Sequence, residues 1–113
     1  MKPYNKYSAI KTDGHASKRE AKRAGVLKLL ERAGQIKDLK EQVEFVLAPS
    51  VVINGRKRPA IKYFADFVYE DLGLPEFFES RLVVEDCKGF RTPVYKLKRH
   101  LMKSVLNIDI TET

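Results

Sequence analysis

Two strand-like, largely apolar runs carry charges where a core strand would carry hydrocarbon. The first is Ala60-Ile61-Lys62-Tyr63-Phe64-Ala65-Asp66-Phe67-Val68-Tyr69 and the second is Leu82-Val83-Val84-Glu85-Asp86-Cys87-Lys88-Gly89. A charge buried in an apolar strand is costly unless it is paired or bound to a metal. The folds open to this chain are therefore those that give Asp66, Asp86 and Lys88 partners. Side chains alternate along a strand, so a strand over 82–88 would turn Asp86 and Lys88 to one face and Glu85 and Cys87 to the other.

If the two runs are neighbours in one sheet, two carboxylates and a lysine meet on one face. Hydrolysing a phosphodiester needs a cation at the non-bridging oxygen, an activated water and charge balance at the leaving oxygen. Magnesium prefers oxygen ligands and keeps several waters, so a few carboxylates suffice. A metal-dependent nuclease is the leading expectation, with magnesium as cofactor and manganese as a substitute. Asp66, Asp86 and the Cys87 backbone carbonyl are its expected metal ligands, and Lys88 orients or deprotonates the water. The plainer alternatives are an Asp66–Lys62 ion pair and an ordinary same-face Asp86–Lys88 salt bridge.

The rest of the chain reads as α-β-β-β-α-β. Ser17 is an N-cap and Glu20 completes a capping box, predicting a helix over 17–33 that Gly34 ends. Its apolar arc is Ala21, Ala24, Val26, Leu27, Leu29, Leu30 and Ala33. Glu20 lies at the margin of that arc, so it is either a capping residue alone or a helix-borne carboxylate that reaches the site. Gln42–Leu47 alternates as a strand, which Val51–Ile53 either extends or restarts after Pro49. Asn54-Gly55 marks a turn, and Arg56-Lys57-Arg58-Pro59 reads as a loop. Thr92 and Pro93 open a second helix over 94–105, with Tyr95, Leu97, Leu101, Met102 and Val105 as its buried stripe. Ile108-Asp109-Ile110 reads as a short last strand.

At 113 residues, the chain reads as a basic N-terminal arm over 1–16 and one domain over 17–113. Residues 1–40 hold 11 basic and 4 acidic groups, 41–90 hold 6 and 9, and 91–113 hold 5 and 2. Basic ends around an acidic centre suit a protein that grips a polyanion and concentrates a cation. Lys18, Arg19, Arg56, Lys57, Arg58, Lys96, Arg99 and Lys103 are the expected DNA contacts, the last three sharing one helical face; a solvated basic surface is the plain alternative. Tyr4, Tyr7 and the N-terminal lysines either line nucleic acid or belong to a disordered arm, and the isolated His15 and His100 read as surface residues. No apolar run matches a membrane-spanning helix or a signal peptide, and one cysteine excludes an internal disulfide, so a cytoplasmic protein is expected. There is no phosphate-cradling glycine loop, no Ser-His-Asp arrangement and no zinc-ligand spacing.

Glu20 on the first helix, Asp66 in a central strand and Asp86-Cys87-Lys88 in the next resemble the PD-(D/E)xK nuclease superfamily. More closely, the chain is similar to small phage-encoded proteins of that type and, in layout, to phage endonuclease I. The resemblance runs from Ser17-Lys18-Arg19-Glu20 through Val84-Glu85-Asp86-Cys87-Lys88-Gly89 to Tyr95-Lys96-Leu97-Lys98-Arg99. It implies a restriction-endonuclease-like core, an α/β fold with a mixed central sheet flanked by helices. It also implies that Asp66 and Asp86 hold the metal, with Glu20 as a further ligand, and that Lys88 is the catalytic lysine. Gln42 corresponds to a helper glutamine in some relatives, and Glu85 is a weaker candidate. One departure is Ala65, where many relatives carry proline. The implied activity is cleavage of four-way (Holliday) junctions or branched DNA by a homodimer acting in a phage-infected host. The alternatives are a general duplex nickase or restriction-like nuclease, a non-catalytic nucleic-acid-binding module, and a structural or regulatory protein with a basic surface. The Phe77-Phe78 pair is an expected interface or wedge.

Overall fold

The computed structural model describes residues 17–73 and 80–113. The basic arm over 1–16, with Tyr4, Tyr7 and His15, and the Phe77-Phe78 pair lie outside these residues. Helix α1 (Lys18–Arg32) precedes strands β1 (Ile36–Ala48), β2 (Val51–Ile53), β3 (Arg56–Arg58), β4 (Ile61–Asp71) and β5 (Arg81–Asp86), followed by helix α2 (Pro93–Leu106) and strand β6 (Ile110–Glu112). The main sheet has the order β1-β4-β5-β6; β1, β4 and β5 are antiparallel neighbours, and β6 runs parallel to β5.

Both helices form where their capping residues predict. Ser17 Oγ accepts from Glu20 N at 3.1 Å, and Thr92 Oγ1 accepts from Tyr95 N at 3.1 Å. Pro93 fits the first turn of α2, whose N–H would lack an intrahelical partner. Gly34, at φ +81°, turns the chain out of α1 where a side chain would be strained.

The sheet is covered on both faces, giving a mixed α/β architecture in three layers. Ala24 and Leu27 of α1 pack with Ile36, Phe67, Tyr69 and Val83. On the other face, Tyr95 and Met102 of α2 pack with Leu47, Tyr63, Ala65, Val68 and Val84. Full burial of the Val, Leu, Ile, Phe and Met side chains among these stabilises the fold by roughly 1.5–3 kcal/mol each. The helices bury narrower stripes than their composition predicts: Val26, Leu29, Leu97 and Val105 are exposed. Each helix touches the sheet along a single line, and these residues flank it.

In a regular strand Tyr63, Ala65, Phe67 and Tyr69 would share one face. Here the first two face α2 and the last two face α1. The phase changes at Asp66. The β1–β4 ladder also skips one position there, between the pairs Val43↔Ala65 and Glu41↔Phe67. The residue at the skip on β1 is Gln42, held at φ +53°, a left-handed conformation that costs a side-chain-bearing residue of order 1–2 kcal/mol.

Several boundaries differ from expectation. The first strand begins six residues earlier than Gln42 because Ile36 supplies a core residue at its start. Arg56–Arg58 is a strand, not a loop: the Asn54-Gly55 turn, with both residues at positive φ, folds it back onto β2. The last strand lies at Ile110–Glu112 because Asn107, in the left-handed conformation, ends α2 and leaves Ile108 and Asp109 in the connection.

Candidate functional site

The carboxylates of Asp66 and Asp86 come together at the end of β5. The β4–β5 ladder pairs Val68 with Val84 and Phe67 with Glu85; one further step of this register sets Asp66 against Asp86. Like charges directly opposite in a sheet destabilise it. Burial and the negative charge of Asp66 push the Asp86 carboxyl up to about 6, against the opposing effect of hydrogen bonding from Tyr63. Asp86 is almost wholly buried. Tyr63 Oη donates to its Oδ2, and Lys88 Nζ lies 3.4 Å from its Oδ1.

Lys88 was expected inside the strand, but β5 ends at Asp86. Strand alternation therefore does not aim Lys88. Its ammonium instead stands 4.5 Å from the centre of the Tyr95 ring on α2, a cation–π contact that holds it beside Asp86.

Asp66 is held from two sides. Cys87 N donates to its Oδ2 at 2.9 Å, and Gln42 Nε2 donates to its Oδ1 at 3.2 Å. The same Gln42 nitrogen donates to Glu20 Oε2 at 3.1 Å. Glu20 is buried on the first turn of α1; its backbone N–H serves the cap while its carboxylate serves the site. The contact shown for Cys87 is through its N–H. Its half-buried thiol lies 3.4 Å from Thr113 Oγ1 and is pushed up by burial. Lys62 pairs with Glu44 and not with Asp66.

Glu85 turns to the opposite face, as alternation predicts. It is wholly buried. Arg23 of α1 grips it with two bonds of 2.8 and 2.7 Å, and Tyr69 Oη donates to it. Burial pushes its carboxyl up, but Arg23 and Tyr69 more than offset this and hold it below the usual carboxylate value. The same burial and contact raise the Tyr69 hydroxyl to about 12. Glu85 therefore joins α1 to the sheet and leaves the site to Asp66 and Asp86.

Sequence reasoning missed several residues around this centre. Tyr63 and Tyr95 read as plain core aromatics, yet each places a hydroxyl on a carboxylate. Tyr95 Oη donates to Glu112 Oε2 at 2.7 Å, and Arg91 and Arg99 donate to Glu112 at 2.8 and 2.9 Å. A cavity of about 240 Å³ beside Cys87 is lined by Arg19, Lys22, Arg23, Val26 and Thr113. Basic residues at three- and four-residue spacing on α1 were the available signal for it.

The expected DNA contacts separate into groups. Lys18 and Arg19 are exposed on the first turn of α1, and the Arg19 guanidinium lies 4.0 Å from where a Cβ on Gly89 would stand. Arg56, Lys57 and Arg58 are exposed on β3. On α2, Lys96 is exposed, but Arg99 pairs with Glu112 and Lys103 with Asp109. The expected continuous basic face is thus partly neutralised by acids from the chain after α2.

Among the described residues no group of three or more His, Cys, Asp or Glu side chains is gathered to hold a metal. Glu20 is tied to Asp66 through Gln42. Two facing carboxylates with repulsion between them still fit a hard cation that keeps most of its waters. Among the described residues no helix is long and apolar enough to cross a membrane. Residues 3–110 match a family described as a protein of unknown function, DUF1064. No curated protein and no solved structure matches the chain.

Proposed function

The chain belongs to the DUF1064 family, and we propose that it is a magnesium-dependent DNA endonuclease selective for four-way or branched junctions. The observation that carries this reading is the Asp66–Asp86 carboxylate pair, with Lys88 3.4 Å from Asp86. The element order α1-β1-β4-β5-α2-β6, with β6 parallel to β5, supports a restriction-endonuclease-like core.

In this reading Asp66 and Asp86 would hold the ion, and the Cys87 carbonyl would be a further oxygen ligand. Bound magnesium would supply positive charge at the non-bridging phosphate oxygen. Tyr63 fixes Asp86 by donating to Oδ2. Gln42 fixes Asp66 and ties it to Glu20 on α1. Lys88, steadied over the Tyr95 ring, orients the attacking water and balances charge as the phosphorus–oxygen bond breaks. Arg19, through its planar guanidinium, and Lys22, as a point charge, both beside Cys87, hold a phosphate neighbouring the reacting one. Paired cuts at a junction need two sites related by a two-fold axis, so the acting species is a homodimer.

The test uses a labelled immobile four-way junction and a matching linear duplex, each with magnesium or with chelator, and an Asp86→Ala control. Paired magnesium-dependent cuts near the branch point, absent from the variant and from the duplex, are expected. Equal cutting of the duplex would make the protein a general nuclease. Binding without cutting in magnesium or manganese would overturn the catalytic reading.

A further inference from the structure

The β2–β3 hairpin is a continuation of the β1–β4 ribbon. The last β1–β4 pair is Ala48↔Ile61 and the next hairpin pair is Val51↔Arg58, in the same register. The ladder between them is interrupted at Pro49 and Pro59, which cannot donate to it. From Asp66 to the turn at Gly55 is eleven residues, or roughly 36 Å of extended chain.

All six hairpin residues are exposed. Val51, Val52 and Ile53 are exposed by 47%, 69% and 51%, although β-branched apolar residues usually line a core. Facing them across the ladder are Arg58, Lys57 and Arg56. One edge strand is therefore apolar and the other cationic, and residues 46–60 contain no acid. A second copy of this chain would bring like charges together. A polyanion with apolar edges inside a groove satisfies both strands. The B-form major groove, about 12 Å wide, admits a two-stranded ribbon, whereas the A-form RNA major groove is too narrow and deep.

We propose that the β2–β3 ribbon enters the major groove of duplex DNA. Side chains alternate along each strand, so Val51, Ile53, Arg56 and Arg58 share one face of the ribbon and Val52 and Lys57 the other. Val51 and Ile53 lie against base edges and thymine methyls, Arg56 and Arg58 beside them reach the flanking phosphates, and Lys57 reaches a phosphate of the groove wall from the opposite face. The ribbon's reach is close to one turn of B-DNA, so it grips duplex well away from the carboxylates. This inference rests on the nucleic-acid reading above and adds the groove and the element that enters it.

Binding of the full chain to a linear duplex, measured by fluorescence anisotropy in chelator across a salt series, tests it. Replacing Arg56, Lys57 and Arg58 by Ala is expected to weaken binding at least about tenfold and to lower the salt slope by about 2.7. Replacing Val51, Val52 and Ile53 by Ser is expected to weaken binding with the slope unchanged. Methyl green, which occupies the major groove, should compete with the wild type, and distamycin, which occupies the minor groove, should not. Unchanged affinity in both variants, or competition by distamycin alone, would overturn the proposal. So would a serine variant that keeps its affinity but dissociates a dimer in sedimentation. Circular dichroism establishes that each variant is folded. If the wild type binds and the ribbon variants do not, yet nothing is cut in magnesium, the ribbon stands and the nuclease reading falls. Cutting with ribbon variants that bind like wild type gives the reverse.

Discussion

Gln42 and Asp66 stand opposite each other at a skipped position of the β1–β4 ladder, joined by a 3.2 Å hydrogen bond from Gln42 Nε2. The left-handed backbone of Gln42 accompanies an amide that also reaches Glu20 on α1 at 3.1 Å. Three elements thus meet at one nitrogen. Such outlying conformations persist where the surrounding structure over-determines them.

Gln42→Leu removes both bonds and leaves Asp66 held by Cys87 N. Residues that orient metal ligands typically contribute 10–100-fold. On the proposed nuclease reading, DNA cleavage should fall by about that factor and recover partly at higher magnesium, while DNA binding in chelator is unchanged. A magnesium titration of the cleavage rate reads this directly. Loss of binding together with cleavage would show that Gln42 acts on the fold and not on Asp66.

On the proposed nuclease reading, Asp86→Asn should abolish cleavage, and it should make the protein more stable. The carboxyl stands at about 6, above its ordinary 3.8, through burial first and the charge of Asp66 as well. A raised carboxyl favours the protonated form in the fold, so the wild type loses stability as pH rises from about 4 through about 6. The amide cannot ionise and escapes that loss. A gain of about 1–3 kcal/mol at pH 7 is expected, read as a higher denaturation midpoint that converges with the wild type at pH 4.

Arg23→Ala leaves Glu85 buried without its cation. Breaking a buried pair from one side costs about 3–5 kcal/mol, so denaturant unfolding should shift by that amount. A second change, Glu85→Leu, should restore most of it. If the double variant is no better than the single one, the pair is not the source of the loss.

Glu112 gives the fold an acid limb. Hydrogen bonds from Arg91 and Tyr95, and Arg99 beside them, hold its carboxyl down to about 2 from 4.5. A depressed carboxyl contributes stability that is present above about 4.5 and lost as pH falls towards 2. Thermal unfolding should therefore become easier across that window, and Glu112→Gln should flatten the dependence there while lowering stability at pH 7.

The elements with local chemical signatures were legible in the sequence. Ser17 with Glu20, Thr92 with Pro93 and Asn54-Gly55 each fix their turn or cap through nearest neighbours, and each stands where expected. The Asp66 and Asp86 pairing was legible because charges in apolar runs demand partners. Less was legible where tertiary contacts override period. The phase change at Asp66 hides the fact that Tyr63 and Phe67 serve opposite faces. Alternation gave the wrong reason for Lys88, which a ring on α2 positions. Glu112 was invisible as a partner for Arg99 because the last strand lies two residues beyond its apolar signal.

The shared register of β1–β4 and β2–β3 also bears on how the chain folds. Asn54-Gly55 closes a short loop, and pairing then advances from the tip towards Gln42 and Asp66 through neighbours of low sequence separation. β6 joins β5 only after α2 has crossed the sheet, and Thr113 N then bonds Asp86 O. The two aspartates therefore belong to steps of unequal entropic cost. On contact order alone, Asp66 is expected to be set early by zipping and Asp86 to be secured late by long-range closure.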